Sequence, residues 1–507
     1  MFSALGHCVR LVRVALVLAR HDALLPPELL SRLPPAGAFL GRIARGFSGQ
    51  GKPGTQGEKL AAALEELGSA WIKLGQFLAG RPDVIGAEAA AGLSQLKDKL
   101  PPFAQDLALA ELKQGFGDDY AALFGVLGPA IAAASVAQVH KAALPDGRFV
   151  AVKILRPGIE AAIAREGKTL AFAARWADRL FPATRRLRPI EFVATVMAAL
   201  TRELDLRLEA GAADEFAENA ARDGYMSAPS VDWARCSQRV LTTAWVDGLA
   251  LTDSKAIEAL PIAQREALGI SVTRAFLASA LDHGFFHADV HEGNLILAPD
   301  GTLVAVDFGI TGRISPAERR YLAEILFGFL QRNYVRIAEM HREAGYVPAD
   351  RSIGDFAQAL RAVGEPIQGK RADEVSMSRL LLQLFDVTEA FGMALRPELV
   401  LLQKTMVQVE GVARGLDPRH DLWEAARPIV ERWIARELGP EAVARRVASD
   451  VSTVIATLRR LPNVLDRIEH FSQLPPHRAF PWVWMLGSAL LGGLMAVGLS
   501  ALAAGWL

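Results

Sequence analysis

Cysteine is nearly missing from these 507 residues: Cys8 and Cys236 are the only two. They stand far apart and in no metal-ligand spacing, which excludes a disulfide framework or a cysteine zinc site and suits a reducing compartment. Net charge is missing too, with 56 basic residues against 56 acidic ones. No overall field recruits nucleic acid, so local charge carries the argument. Aromatics make up only 7%, while alanine, leucine and valine dominate, and such a composition leans helical. The apolar start, residues 2–20, lacks the uncharged length of a signal or spanning segment, because Arg10 and Arg13 interrupt it and Val14–Ala19 is its longest later run. It reads as a basic amphipathic helix, lying on a membrane surface or packed against its own domain.

What is present concentrates in His287-Ala-Asp-Val-His-Glu-Gly-Asn294 and Asp307-Phe-Gly309. Leu295–Leu297 and Leu303–Val306 are β-prone runs around Pro299-Asp300-Gly301, so a hairpin is predicted that brings Asn294 and Asp307 to neighbouring ends. An amide oxygen and a carboxylate are hard ligands suited to Mg²⁺. Asp289, just upstream, is placed to orient or deprotonate an attacking hydroxyl or water. A lone Asp-Phe-Gly is a weak signal; the combined spacing is a strong one for phosphoryl transfer.

The glycines of a kinase phosphate loop are missing. On the pattern G-x-G-x-x-G-x-V the chain reads Ala132, Ala133, Ala134, Ser135, Val136, Ala137, then Val139 two residues on, with alanine at each glycine position. Alanine adopts positive φ less cheaply, so a stiffer loop is expected. Val150-Ala-Val-Lys153 follows as a strand whose terminal lysine is the candidate partner of the nucleotide phosphates. Residues 57–80 show helical spacing through Leu60, Leu64, Leu67, Trp71, Leu74 and Leu78, with Lys73 and Gln76 on one face and Gly75 between them. That glycine implies close packing against another element. A second long helix, 190–219, carries Glu203, Asp205 and Glu209; one acid should hold Lys153 and another could meet Lys73. Ser315-Pro316-Ala-Glu318 is a helix start only five residues beyond Gly309, which leaves no room for the segment that seats a protein substrate.

The last uncharged run, 479–507, has Trp482, Trp484 and Trp506 near its ends and arginines only before it. From Trp484 to Trp506 a helix spans about 33 Å, enough for a hydrocarbon core. A single C-terminal span with the globular part in the cytoplasm is therefore expected.

With these residues together, the chain resembles the UbiB family of atypical kinase-like proteins over almost its whole length. The carrying features are Lys73-x-Gly75-Gln76, Leu93–Asp98 before Pro101-Pro102, the alanine loop, Lys153, Glu203-x-Asp205, Glu209-Ala210 and the two motifs of 287–309. The resemblance implies an α+β, bilobal protein-kinase-like fold, with segments 1–56, 57–128 (the Lys-Gly-Gln extension), 129–248, 249–479 and a membrane anchor at 480–507. It implies ATP and Mg²⁺ as cofactors, Lys153 paired with Glu209, Asp289 as catalytic acid/base, and Asn294 and Asp307 at the metal. Glu203 and Asp205 would line the site near Lys73, with Lys73 and Gln76 in a regulatory role. The implied activity is an inner-membrane ATPase supporting ubiquinone biosynthesis, stimulated by membrane lipid and polyprenylphenol or quinone intermediates. Its partners would be other proteins of that pathway or a second copy, and no nucleic acid. A small-molecule phosphotransferase and a nucleotide-sensing scaffold are the alternatives. Val290 and Glu292 stand where that family commonly has prolines, Lys97 where it has glutamine, and Ala244 where its hinge often has an acid.

Overall fold

In the computed structural model of the chain, residues 2–23, 54–79, 85, 89, 92–93, 96, 100–180, 188–365, 383, 387, 390–393 and 397–439 are described. By internal contacts the chain divides into Met1–Ile434 and Ala435–Leu507. Of the second unit only the end of a helix belongs to the described residues.

Helix α1 (Phe2–Arg20) packs on the protein body. Val17 is buried with Ala63, His7 stacks on Phe172 at 5.5 Å, and Arg20 and His21 both reach Glu66. Its other side leaves Val9, Val12 and Leu16 exposed. The helical stretch expected over 57–80 is two helices, α2 (Gln56–Leu67) and α3 (Ser69–Ala79). The spacing continues across them, but Gly68 at φ 101° turns the chain while its N–H bonds Leu64 and Glu65. Thr55 and Glu58 form a capping box at the start of α2.

After α4 (Gln105–Phe116) and α5 (Tyr120–Phe124), strands β1 (Val126–Ala133), β2 (Ala137–Ala143), β3 (Phe149–Leu155) and β4 (Val240–Ala244) form one antiparallel sheet in sequence order. Between β3 and β4 come α6 (Ile159–Leu180), α7 (Pro189–Glu203) and α8 (Leu206–Asp223). The long helix expected over 190–219 is thus broken. Asp205 leaves the helical conformation and caps α8, its side chain accepting from Arg207 N–H.

Beyond β5 (Leu249–Ala250), α9 (Ser254–Glu258) and α10 (Ile262–Ala278), the short strands β6 (Phe285–His287), β7 (Leu295–Leu297), β8 (Leu303–Ala305) and β9 (Thr311–Arg313) follow. β7 and β8 pair antiparallel as the predicted hairpin, and β6 pairs with β9. Helices α11 (Pro316–Leu330), α12 (Tyr334–Glu343), α13 (Ile353–Gly364), α14 (Pro397–Leu416) and α15 (Leu422–Leu438) complete the described chain. The capping box of Ser315 and Glu318 at the start of α11 is present as expected. One core joins the extension to the sheet, since Leu64, Trp71, Leu74, Leu93 and Leu96 pack with Val136, Ala137, Leu206 and Ala210.

One expectation is overturned. No helix among the described residues is long and apolar enough to cross a membrane, against the transmembrane helix expected at the C terminus. The longest described helices fail because charge interrupts them: Arg10 and Arg13 in α1, seven charged residues from Glu160 to Arg179 in α6, and Lys404, Glu410 and Arg414 in α14. Residues 480–507, which carried the expectation, lie outside the described residues. The fold stands as a kinase-like α+β architecture without that span, and the inner-membrane location inferred from it is withdrawn.

Candidate active site

Three elements converge on Lys153. It lies within β3 between Val152 and Ile154, both fully buried, so alternation turns the lysine to the other face. There its ammonium meets Glu209 of α8 at 2.7 Å and Asp307 at 3.1 Å. Burial alone would lower the lysine's pKa, but the two carboxylates outweigh it and the ammonium stays charged well beyond the ordinary range. The converse holds for Asp307: burial raises its pKa, Lys153 and the Gly309 N–H overcome that, and the carboxyl lies well below the usual carboxylate range. Glu209, more enclosed, is held above its ordinary value by burial and by Asp307 despite Lys153.

Asp307 sits at φ 62°, a left-handed backbone uncommon outside glycine. Its own Oδ1 receives the Gly309 N–H at 3.2 Å as well as Lys153. Phe308 then turns inward, 5.0 Å from the rings of both Phe216 and His287. Phe216 lies seven residues after Glu209 on α8, two helical turns along the same face. Packing of Phe308 therefore sets the helix that carries Glu209.

His287 ties the other loop to this frame. Its Nδ1 accepts the Asp289 N–H at 3.1 Å, which leaves Nε2 as the protonated nitrogen, donating to the Val306 carbonyl at 3.3 Å. Burial holds its pKa below the usual histidine value, so the ring is neutral and this tautomer is fixed. Asn294 donates from Nδ2 to the Asp289 carbonyl at 3.1 Å, and its own carbonyl accepts from Val306 N–H. With the amide nitrogen so engaged, the side-chain oxygen is the end left to face outward as a ligand.

Asn294 and Asp307 thus offer an amide oxygen and an ionised carboxylate from adjoining ends of the β7–β8 hairpin. No cluster of three or more His, Cys, Asp or Glu side chains suited to a metal occurs among the described residues. Mg²⁺ does not need one, because it binds through one or two protein oxygens and fills its octahedron with water and phosphate. The donor set fits that ion in the presence of a nucleotide.

The alanine loop is tied to its surroundings by several hydrogen bonds. Ala134 N–H bonds the Ala137 carbonyl at 2.7 Å, Arg156 N–H bonds Val136, and the Arg156 guanidinium grips the carbonyls of Ala134 and Pro101, each at 2.8 Å. Ser135, Val136 and Ala137 are buried, Val136 and Ala137 packing with residues of the extension. Ala132, Ala133 and Val139 lie on the strands either side, paired as Ala132 with Val139. Lys73 of α3 meets Glu203 at 3.2 Å, and its charge also acts on Asp307 and Glu209. Asp205 goes elsewhere, to Arg207 at 2.7 and 2.9 Å. Gln76 is half-buried one turn beyond Lys73.

Two residues at the site were not foreseen. Lys404 Nζ at 3.2 Å and Gln408 Nε2 at 3.0 Å, both on α14, donate to Asp289 Oδ1. They are four apart on one face of a helix, and Lys404 is the one charged side chain between Leu399 and Val409. That lone cation in an apolar run was the available signal.

Residues 95–341 match the ABC1 atypical kinase-like domain and residues 360–421 the UbiB helical domain. Over 463 residues the chain is 34% identical to the "Probable protein kinase UbiB" of Marinobacter nauticus, covering 90% of this chain and 84% of that one. The chain belongs to the UbiB family. The "Probable protein kinase UbiB" of Pseudomonas putida is 35% identical over 454 residues, covering 87% of this chain and 83% of that one. In fold, the chain is similar to Rv3197 from Mycobacterium tuberculosis, solved with erythromycin, at a TM-score of 0.52 and 24% identity over 78% of this chain and 97% of that one. Family membership makes this an atypical kinase-like protein, and Lys404 and Gln408 fall within its UbiB helical domain.

Proposed function

We propose that this UbiB-family chain is a Mg²⁺-dependent ATPase supporting ubiquinone biosynthesis, with water as the acceptor and polyprenylphenol intermediates as the molecules it acts on or mobilises. Lipid and phenolic quinone precursors would stimulate it, and other proteins of the pathway or a second copy would be its partners. Lys153 would hold the α- and β-phosphates, released from Asp307 as nucleotide enters. Asn294 and Asp307 would hold Mg²⁺, which supplies charge neutralisation of the phosphates. Asp289 would orient the attacking water and take its proton.

The observation that carries this reading is the run from Gly309 to Ser315. Residues 311–313 form β9, pinned to β6, and α11 begins at Pro316. The chain therefore passes straight from the metal loop into the helical core, with no free segment on which to lay a peptide. Lys73, from an extension outside the kinase-like core, adds a cation beside Asp307 where such a substrate would approach. ATP hydrolysis is to be measured with Mg²⁺, anionic liposomes and a phenolic precursor, against Asp307→Asn. Phosphate release that depends on Asp307 supports the reading. A product carrying the γ-phosphate would assign a small-molecule phosphotransferase instead, and nucleotide binding without turnover a scaffold.

A further inference from the structure

A carboxylate acting on a hydroxyl or water near phosphates must be held in one orientation and kept ionised beside other negative charge. The loop 289–294 that carries Asp289 contains no lysine or arginine; its own contribution is His291, whose Nε2 stands 3.6 Å from Oδ2. Lys153 is committed to Glu209 and Asp307, and Lys73 to Glu203. Something else must balance Asp289.

Helix α14 does so. Lys404 Nζ and Gln408 Nε2 both donate to Oδ1, at 3.2 and 3.0 Å. Two donors on one oxygen fix the carboxylate's plane and leave Oδ2 as the oxygen to which an acceptor can donate. Among the described residues the buried Gln408 Oε1 has no hydrogen-bond partner, so Asp289 is the group that orients this amide. A flipped amide would point that oxygen at a carboxylate, so the contact with Asp289 decides the matter. The helix is also seated against the loop itself, since the buried Thr405 hydroxyl, which donates to the Leu401 carbonyl of its own helix at 2.8 Å, lies 3.3 Å from the Ala288 carbonyl, one residue before Asp289. On its far side the Ala413 carbonyl lies where a Cβ on Gly269 of α10 would come within 3.2 Å, so the two helices are in close contact. The Lys404 side chain is 45% exposed, so the cleft reaches it.

We propose that Lys404 and Gln408 are positioning residues for Asp289, and that the helical domain thereby completes the catalytic centre instead of merely bracing it. The proposal rests on the reading of Asp289 as catalytic acid/base. Among the described residues, the ionisable groups facing the Asp289 side chain are Lys404 from α14 and His291 from its own loop, with His287 behind its backbone.

The test compares Lys404→Met, Lys404→Arg and Gln408→Leu with the unaltered full chain. In Lys404→Met, kcat for ATP should fall by about 10–100-fold, short of the 10²–10⁴-fold that a general base supplies, with the KM for ATP little changed. Gln408→Leu should likewise lower kcat with the KM for ATP little changed, and Lys404→Arg should restore most of kcat. Wild-type kcat in Lys404→Met overturns the proposal, as does a loss confined to KM. Amide hydrogen exchange over residues 287–294 supplies an arm independent of turnover. Faster exchange in Lys404→Met and Gln408→Leu supports the contact, and unchanged exchange overturns it. If the unaltered protein hydrolyses no ATP, the proposed function fails, and the exchange arm alone decides whether α14 holds this loop.

Discussion

Replacing Asp307 by Asn separates the charge of the metal loop from its backbone. Asp307 lies at φ 62°, a region that Asn tolerates nearly as well as Asp, so the substitution preserves the turn. What it removes is the carboxylate 3.1 Å from Lys153. At an effective dielectric of 20 that pair attracts by about 5 kcal/mol. The Asp307 side chain is half exposed, however, and Lys153 keeps Glu209 at 2.7 Å, so the net loss in stability is about 1 kcal/mol. The loss in catalysis is larger, because a charged ligand is missing where phosphoryl charge must be met: kcat should fall by about 10²–10³-fold. Asp307→Ala should unfold more readily than Asp307→Asn by about 1 kcal/mol, alanine being strained at this φ. The pH dependence has a definite sign. The folded pKa of Asp307 is depressed, so its contribution is present above the unfolded value of about 4 and is lost as pH falls toward the folded one. The stability gap between wild type and Asp307→Asn should therefore close in strong acid. Phosphate release and thermal melting, followed from pH 7 downward, check both halves. Wild-type turnover in Asp307→Asn would refute the metal-loop reading, and collapse of its fold would refute the separation of charge from backbone.

Phe308→Ala empties the space between Phe216 and His287 and should cost about 3–5 kcal/mol by thermal or urea unfolding. Activity should fall even where the protein remains folded, because α8 carries Glu209. A Cβ on Gly75 would fall 2.4 Å from Leu96 Cδ1 and 2.6 Å from Leu64 Cδ1. Gly75→Ala should therefore lower the melting temperature, overpacking of about 1–3 kcal/mol exceeding the roughly 1 kcal/mol that alanine gains in a helix. His140, His287, His341 and His420 all have pKa values lowered chiefly by burial. The unfolded chain then binds protons that the folded one refuses, so stability should be full above pH about 6.5 and decline as pH falls below it. A melting temperature that rises between pH 6.5 and 5 would contradict that.

The parts of this site that were legible in the sequence share one property: their geometry is set within a few residues. The hairpin of 295–305 follows from two short β-prone apolar runs around a Pro-Asp-Gly turn, and the start of α11 from a capping box, each settled by local chemistry. Even Gly75 announced its packing, since a glycine inside a helix needs a reason. Helix breaks were harder to see. Apolar spacing runs through both Gly68 and Asp205, and what interrupts the helices is a positive φ in one case and a side chain returning to its own backbone in the other. That second break explains why Glu203 and Glu209 part company, one to Lys73 and the other to Lys153. In an unbroken helix, six residues would instead have set them about 120° apart around a single axis.

Least legible was the partner of Asp289. Lys404 lies 115 residues away, in a helix whose spacing specifies only that one face is buried. Which loop that face meets depends on the packing of α14 against α10 and on the hydroxyl of Thr405, and neither leaves a periodic trace. A cation alone in an apolar stretch was nonetheless a physical anomaly. Because its side chain is 45% exposed, burial does not force a partner on Lys404; the charge it meets is the carboxylate of the loop where the whole site begins.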